Sequence, residues 1–227
     1  MPKNKFKIAF FELEQWEKEY FLKNLKNCEI KFIDGHLNID NADKIKDFDA
    51  IGVFIYSNVD KKVLTKLPNL KLAVTLSTGF DHIDIKECKK RKIAVCNVPH
   101  YGENTVAEHT FALILNLTRM IHKAYERTIK GDFSIDGLRG IDLQGKTIGV
   151  VGAGSIGQHV IRIARGFEMN VIAFDKFKNQ KLAKKLGFKY VSLDYLLKNS
   201  DIVTLHMPYN KSTHHLINKK AMSKMKK

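Results

Sequence analysis

The chain has 227 residues, 44% of them hydrophobic and 28% charged, a balance that fits one large or two small cores and excludes a disordered or fibrous protein. Its net charge of +15, from 39 basic and 24 acidic residues, raises the question of a polyanionic partner. The lysines are spread along the whole chain, and the densest knots, Lys89-Lys90-Arg91-Lys92 and the closing KMKK, carry no interleaved aromatics. A solvated lysine-rich surface is therefore expected, with no nucleic acid partner.

Cys28, Cys88 and Cys96 are sparse and show no CxxC spacing, which predicts reduced thiols, no disulfide and no metal site. The opening MPKNKFKIAFFELEQW breaks its apolar run at Glu12, too early for a signal-peptide core. No stretch approaches the roughly 18 apolar residues of a membrane helix. A cytoplasmic protein without a membrane partner is expected.

The first half alternates. Lys7–Phe11 reads as a strand, and Gln15–Leu25 as a helix with Trp16, Tyr20 and Phe21 at helical spacing. Glu29–Ile33, the continuous apolar run Ala50–Ile55, Leu70–Leu76 and Ile93–Val98 read as further strands, with polar helical segments between them. This alternation predicts an α/β fold with a parallel sheet covered by helices on both faces. After Pro99, a three-four spacing through Val106, Thr110, Leu113, Leu117, Ile121 and Ala124 predicts one long helix from Thr105 to about Lys130. Thr105 with Glu108 suggests a capping box at its start. A Gly-rich loop then leads into a second alternating series. Thr147–Val151 is a strand, and Ser155–Phe167 a helix with Ile156, Val160, Ile163, Ala164 and Phe167 inward. Asn170–Phe174 is a strand, the region Lys178–Leu186 a helix, and Asp201–His206 a strand.

Gly152, Gly154 and Gly157 form GxGxxG between the first strand and first helix of this second series. The first glycine permits a tight turn, the second a close approach to a pyrophosphate, and the third close packing of helix on strand. The helix N-terminus offers unbonded N–H groups and partial positive charge to phosphates. An acidic residue for the ribose hydroxyls belongs at the end of the next strand. Asp175 stands there, 175 − 157 = 18 positions past the last glycine. A carboxylate at that place favours NAD over NADP, with Lys176 and Lys178 close by.

With these residues in place, nearly the whole chain resembles the D-isomer-specific 2-hydroxyacid dehydrogenases. Four ordered stretches carry the resemblance: STGFDHIDI (Ser77–Ile85), NVPHYGENTVAEHT (Asn97–Thr110), VVGAGSIGQ with Asp175, and SDIVTLHMPYNKSTHHLIN (Ser200–Asn218). FDKF and Tyr101 look closest to the D-lactate dehydrogenase branch. The resemblance implies a flavodoxin-like substrate domain over residues 1–98. It implies a Rossmann-type doubly wound NAD-binding domain over 99–227, incomplete at its C-terminal end. Thr78 and Gly79 would offer N–H groups to a substrate carboxylate, and Tyr101 would line the substrate pocket. Val106 would pack against the nicotinamide. Gly154, Ser155 and Ile156 would cradle the pyrophosphate, and Asp175 would hold the adenosine ribose. His206, Pro208 and Thr213 would line the cofactor's other side. Asn210 departs from the threonine often found at its position. In the complete protein the 105–130 helix would pack in a homodimer.

Reduction of a 2-keto acid also needs a cation on the carboxylate, a general acid and a carboxylate to tune that acid. The family's Arg, Glu and His set lies beyond the stretch similar to HLINKKAMSKMKK, so no catalytic residue is assigned here. Arg139 precedes the glycine loop and is out of place, and His82, His100, His109 and His206 do not match the family's acid. NKKAMSKMKK therefore reads as an interruption, predicting a chain that is poorly stable and catalytically silent by itself. The alternatives are a non-catalytic NAD-binding regulator or scaffold, and an inactive fragment. Lactate, another 2-hydroxy acid, phosphoglycerate and glyoxylate remain open as substrates, because the pocket depends on loops such as Tyr56-Ser57-Asn58.

Overall fold

A computed structural model describes residues 5–226; the first four residues and Lys227, the last of the KMKK knot, lie outside the described residues. The chain divides into two compact units, Met1–Tyr101 and Gly102–Lys227.

Unit 1 contains β1 (Phe6–Phe11), α1 (Gln15–Asn24), β2 (Cys28–Ile33), a single 3-10 turn at Ala42–Ile45, β3 (Ala50–Val53), α2 (Lys61–Thr65), β4 (Leu72–Thr75), α3 (Ile85–Lys90) and β5 (Ala94–Cys96). All its strand pairs are parallel, in the order β2-β1-β3-β4-β5. That is the flavodoxin-like order, with a reversal between β1 and β3. The whole of β3 is buried, as its unbroken apolar run requires. Gly52 sits in β3 because a β-carbon there would come within 2.3 Å of the Phe10 ring on β1. Phe10 stacks on Phe21 of α1 at 4.2 Å between ring centres. The rest of the apolar spacing of α1 stays outside the core, with Trp16 68% and Tyr20 60% exposed.

Unit 2 contains α4 (Glu103–Thr118), α5 (Ile121–Thr128), β6 (Thr147–Val151), α6 (Ser155–Gly166), β7 (Asn170–Phe174), α7 (Gln180–Leu186), β8 (Lys189–Tyr190), α8 (Leu193–Asn199), β9 (Ile202–Leu205) and α9 (Lys219–Met222). Its parallel sheet runs β8-β7-β6-β9, the first four strands of the doubly wound order, with the reversal between β6 and β9. Val160, Ile161 and Ala164 of α6 are fully buried, and Phe167 stacks on Phe111 of α4 at 5.4 Å.

Both units start their neighbouring strands with the same device. Asp49, before β3, accepts from Lys7 N through Oδ2 at 2.9 Å while its own N–H donates to Lys7 O. Asp201, before β9, accepts from Thr147 N at 2.7 Å while its N–H donates to Thr147 O. Each exchange fixes where one strand begins beside the next.

The long helix from Thr105 is two helices. The Thr118 carbonyl, which would accept from His122 N in a continuous helix, accepts from Ile141 N at 2.9 Å. The Ile141 segment comes this close because Gly140 has no side chain; a β-carbon there would lie 2.1 Å from Thr118 O. Met120 takes a left-handed backbone, φ 53°, and His122 N turns to the Asn116 side chain at 3.0 Å. The proposed cap at Thr105 is also corrected. Val106 N already bonds Gly102 O at 2.9 Å, so Thr105 lies inside the first turn, and the Glu108 carboxylate accepts from Asn104 instead.

Candidate functional site

In unit 2 the candidate residues converge on the C-terminal ends of β6, β7 and β9, where the strand order reverses. In open parallel sheets this is where ligands bind. Gly152 leaves β6 with φ 98°. Its N–H donates to Phe174 O at 2.8 Å, and a β-carbon on it would stand 2.5 Å from His206 O. The first glycine is thus wedged between the ends of β7 and β9. A β-carbon on Gly157 would come within 2.1 Å of Gly152 O, so the third glycine lets α6 start directly over the turn. Gly154 differs: nothing lies within 4 Å of the β-carbon it lacks. The space beside it is open to an incoming group.

The helix ladder of α6 begins with Gln158 N bonded to Gly154 O at 2.9 Å. The N–H groups of Ser155, Ile156 and Gly157 precede it and point out of the helix start, where the dipole favours an anion. Asp175 ends β7 and ties down the same loop. One of its oxygens accepts from Ala153 N at 2.7 Å, the other from Phe177 N at 2.8 Å. A carboxylate has about four lone-pair sites, so two backbone bonds leave acceptor capacity for ribose hydroxyls. Open space at Gly154, unladdered N–H groups and a preset acidic acceptor fit a dinucleotide.

His206 follows β9, with its N–H on Val151 O at 2.8 Å and its Nε2 2.8 Å from the Thr204 hydroxyl. Burial pushes its imidazole below the usual histidine range, so the ring is neutral near pH 7. Pro208 and Thr213 meet in the following loop: the Thr213 hydroxyl donates to Pro208 O at 2.7 Å and accepts from Asn210 N at 2.8 Å. Asn210, the departure from the family pattern, closes an Asx turn by accepting from Ser212 N at 2.8 Å. Val106 lies in the first turn of α4, 43% exposed.

In unit 1, Thr78 and Gly79 occupy the turn after β4. The turn is pinned from both sides: Asn97 Nδ2 donates to Thr78 O at 2.9 Å, and the Thr78 hydroxyl donates to Val98 O at 3.0 Å. The buried Ser77 hydroxyl donates to Gly79 O at 2.7 Å. Among the described residues no acceptor takes the Thr78 or Gly79 N–H, which leaves two fixed donors for an anion. Tyr101, at the end of the unit, is 58% exposed.

Sequence reasoning missed Glu12, whose carboxylate collects donors from Phe54, Tyr56 and Ser57. It also missed the pairing of the Tyr209 hydroxyl with His214 Nδ1 at 2.7 Å. No spacing rule announces the first, since Glu12 lies more than 40 residues from its partners; the second is local, five residues apart, but follows no motif read in the sequence. Among the described residues no group of three or more His, Cys, Asp or Glu is placed to hold a metal, and no helix is long and apolar enough to cross a membrane.

Comparison with known proteins gives a consistent picture. The family model described as D-isomer specific 2-hydroxyacid dehydrogenase, NAD binding domain, matches residues 111–227. A 2-hydroxyacid dehydrogenase homolog of Haemophilus influenzae is 39% identical over 224 residues, covering 97% of this chain and 67% of the relative. The D-lactate dehydrogenase of Escherichia coli is 34% identical, with 97% and 68% covered. The crystal structure of D-lactate dehydrogenase from Aquifex aeolicus, complexed with NAD and lactic acid, superposes with a TM-score of 0.90 at 38% identity, covering 96% of this chain and 66% of that one.

Proposed function

The chain belongs to the D-isomer-specific 2-hydroxyacid dehydrogenases, NAD-dependent oxidoreductases of 2-hydroxy acids, and from that premise we propose how its residues share the work. Residues 99–227 hold NAD and residues 1–98 belong to the substrate side. NADH, when bound, supplies the hydride that reduces a 2-keto acid.

Gly154, Ser155 and Ile156 present N–H groups to the pyrophosphate, while Gly152 and Gly157 let the turn and helix close beneath it. Asp175 accepts from the adenosine ribose. A 2′-phosphate there would meet its negative charge, which selects NAD over NADP. Val106 packs on the nicotinamide, and His206, Pro208 and Thr213 form the opposing wall. Thr78 and Gly79 take the substrate carboxylate, and Tyr101 lines its pocket. The observation that carries the reading is the Asp175 carboxylate bonded to Ala153 N at 2.7 Å, which joins the ribose acceptor and the pyrophosphate loop in one preset unit.

No residue of this chain matches the family's Arg, Glu and His set, and the half-buried, neutral His206 does not replace its acid. The 227-residue chain is therefore a cofactor binder that does not turn over 2-keto acids by itself. It acts in the cytoplasm. When complete, the protein pairs as a homodimer through the exposed row Leu113, Leu117, Ile121 and Tyr125 on α4 and α5. Calorimetry with NAD and NADP on mass-verified 227-residue protein, followed by assays with pyruvate and glyoxylate, tests this reading. The result expected is preferential NAD binding without turnover. Equal binding of both nucleotides refutes the assignment to Asp175, and any turnover refutes the silence of the chain.

A further inference from the structure

Glu12 stands where the strand order of unit 1 reverses. In β2-β1-β3-β4-β5 the reversal lies between β1 and β3, the place where an open parallel sheet ordinarily receives a ligand. Glu12 follows β1 with a left-handed backbone, φ 58°, uncommon for a residue with a side chain. Its carboxylate receives the segment that follows β3. Phe54 N donates to Oε2 at 3.0 Å, Tyr56 N to Oε1 at 2.8 Å and Ser57 N to Oε2 at 3.1 Å. The Ser57 hydroxyl also bonds Oε2. That hydroxyl oxygen accepts from Leu37 N at 2.9 Å, Asn58 N donates to Leu37 O at 2.8 Å, and Glu12 N donates to Gly35 O at 3.1 Å. Ser57 is only 2% exposed, so the cluster is set into the fold.

Three backbone N–H groups and a hydroxyl converging on one carboxylate make a complete anion receptor. Here the receptor is filled by the chain's own side chain. The loop it secures carries Tyr56, 74% exposed, three residues past the end of β3, the strand next to β4; Leu76 N donates to Val53 O at 2.8 Å. β4 leads into the Thr78–Gly79 turn.

We propose that Glu12 is the positioning residue of the Phe54–Asn58 loop: it fills the anion nest at the switch point, fixes the loop that presents Tyr56, and leaves the substrate carboxylate to the Thr78–Gly79 turn. The link to substrate rests on the substrate-side reading of residues 1–98; the clamp itself does not. Removing the carboxylate leaves a vacant nest that a small free carboxylate fits.

The test is amide hydrogen exchange by NMR on the 227-residue chain, wild type against Glu12→Ala and Glu12→Gln. In Glu12→Ala, protection at Phe54, Tyr56 and Ser57 falls at least about tenfold while Ile51 and Gly52 of β3 keep theirs. Formate or acetate at about 100 mM restores it and chloride at equal ionic strength does not. Glu12→Gln, with one acceptor oxygen left, keeps intermediate protection. Unchanged exchange at the three amides, or restoration by chloride as good as by formate, overturns the proposal. If Glu12→Ala also loses the β3 amides, Glu12→Gln decides: a loss confined to residues 54–57 supports the clamp, and any other pattern overturns it. Pyruvate separates the two claims. Shifts of the Thr78 and Gly79 amides in wild type, joined by Phe54–Ser57 in Glu12→Ala, support both. No shift at Thr78 and Gly79 refutes the substrate-side reading and leaves the exchange result to decide the clamp.

Discussion

Alanine at Gly157 and alanine at Gly154 should fail in different ways. A β-carbon at Gly157 would stand 2.1 Å from Gly152 O, where ordinary contact begins at 3.4 Å, so something must move by 3.4 − 2.1 = 1.3 Å. Gly152 has little room to retreat. Its N–H is tied to Phe174 O at 2.8 Å, and the His206 carbonyl lies 2.5 Å from the β-carbon position on Gly152 itself. Forced overpacking costs about 1–3 kcal/mol, and for a chain of this size ~2 kcal/mol lowers Tm by roughly 4–8 °C. At Gly154 the new methyl meets no atom within 4 Å, and φ of −71° suits alanine. Stability should hold or rise slightly, because alanine narrows the unfolded ensemble. That methyl does occupy the space the pyrophosphate approaches. Loss of one charge-assisted N–H contact, about 1.5–3 kcal/mol, weakens NAD roughly 10- to 100-fold. Thermal melts read the first effect and calorimetry with NAD the second. If Gly154→Ala binds NAD like wild type, or melts as early as Gly157→Ala, the division of labour drawn for the three glycines is wrong.

Asp175→Asn should weaken NAD at least about tenfold, narrow its advantage over NADP, and speed exchange of the Ala153 amide; calorimetry and hydrogen exchange check both consequences. Acid should destabilise both units through matched carboxylates. Asp49 is held below the usual range by the Lys7 N–H and then by Lys71. Asp201 is lowered by Lys226 and then by the Thr147 N–H. A carboxyl lowered in the folded state contributes stability above its unfolded pKa of about 4 and loses it as pH falls through the folded value. Urea melts between about pH 5 and pH 2.5 should therefore show a shallower acid loss in Asp49→Asn/Asp201→Asn than in wild type; equal slopes would count against the tie. Leu117, 65% exposed, and Tyr125, 66% exposed, both changed to Glu should turn a sedimenting dimer into monomer without lowering NAD affinity. A wild-type monomer in the same run would remove the dimer reading.

The glycine loop was legible because its chemistry is local. Three glycines at fixed spacing and an acid 18 positions on specify a turn, a helix start and a strand end. Structure then supplied reasons that spacing does not contain, such as Gly157 yielding to the Gly152 carbonyl and Asp175 reaching back to Ala153 N. The alternation of elements was legible for the same reason, since buried parallel strands read as apolar runs. The two-residue β8 was not, because it is too short to show a period, and the seven-residue α8 went unread although α7, of equal length, was seen. Periodicity also carried one helix through Met120, where a distant Ile141 N–H diverts the Thr118 carbonyl and ends it.

By itself, then, the sequence determined most of the strands and helices, where the phosphate loop lies and which family the chain resembles. All of these depend on residues within a turn or two of each other, or on their order along the chain. Tertiary structure alone decided the strand orders, the break between α4 and α5 and the place of Glu12 in the Phe54–Ser57 nest. Those depend mainly on donors and acceptors 17 or more residues apart, and a backbone N–H carries no mark in the sequence of the partner it will meet.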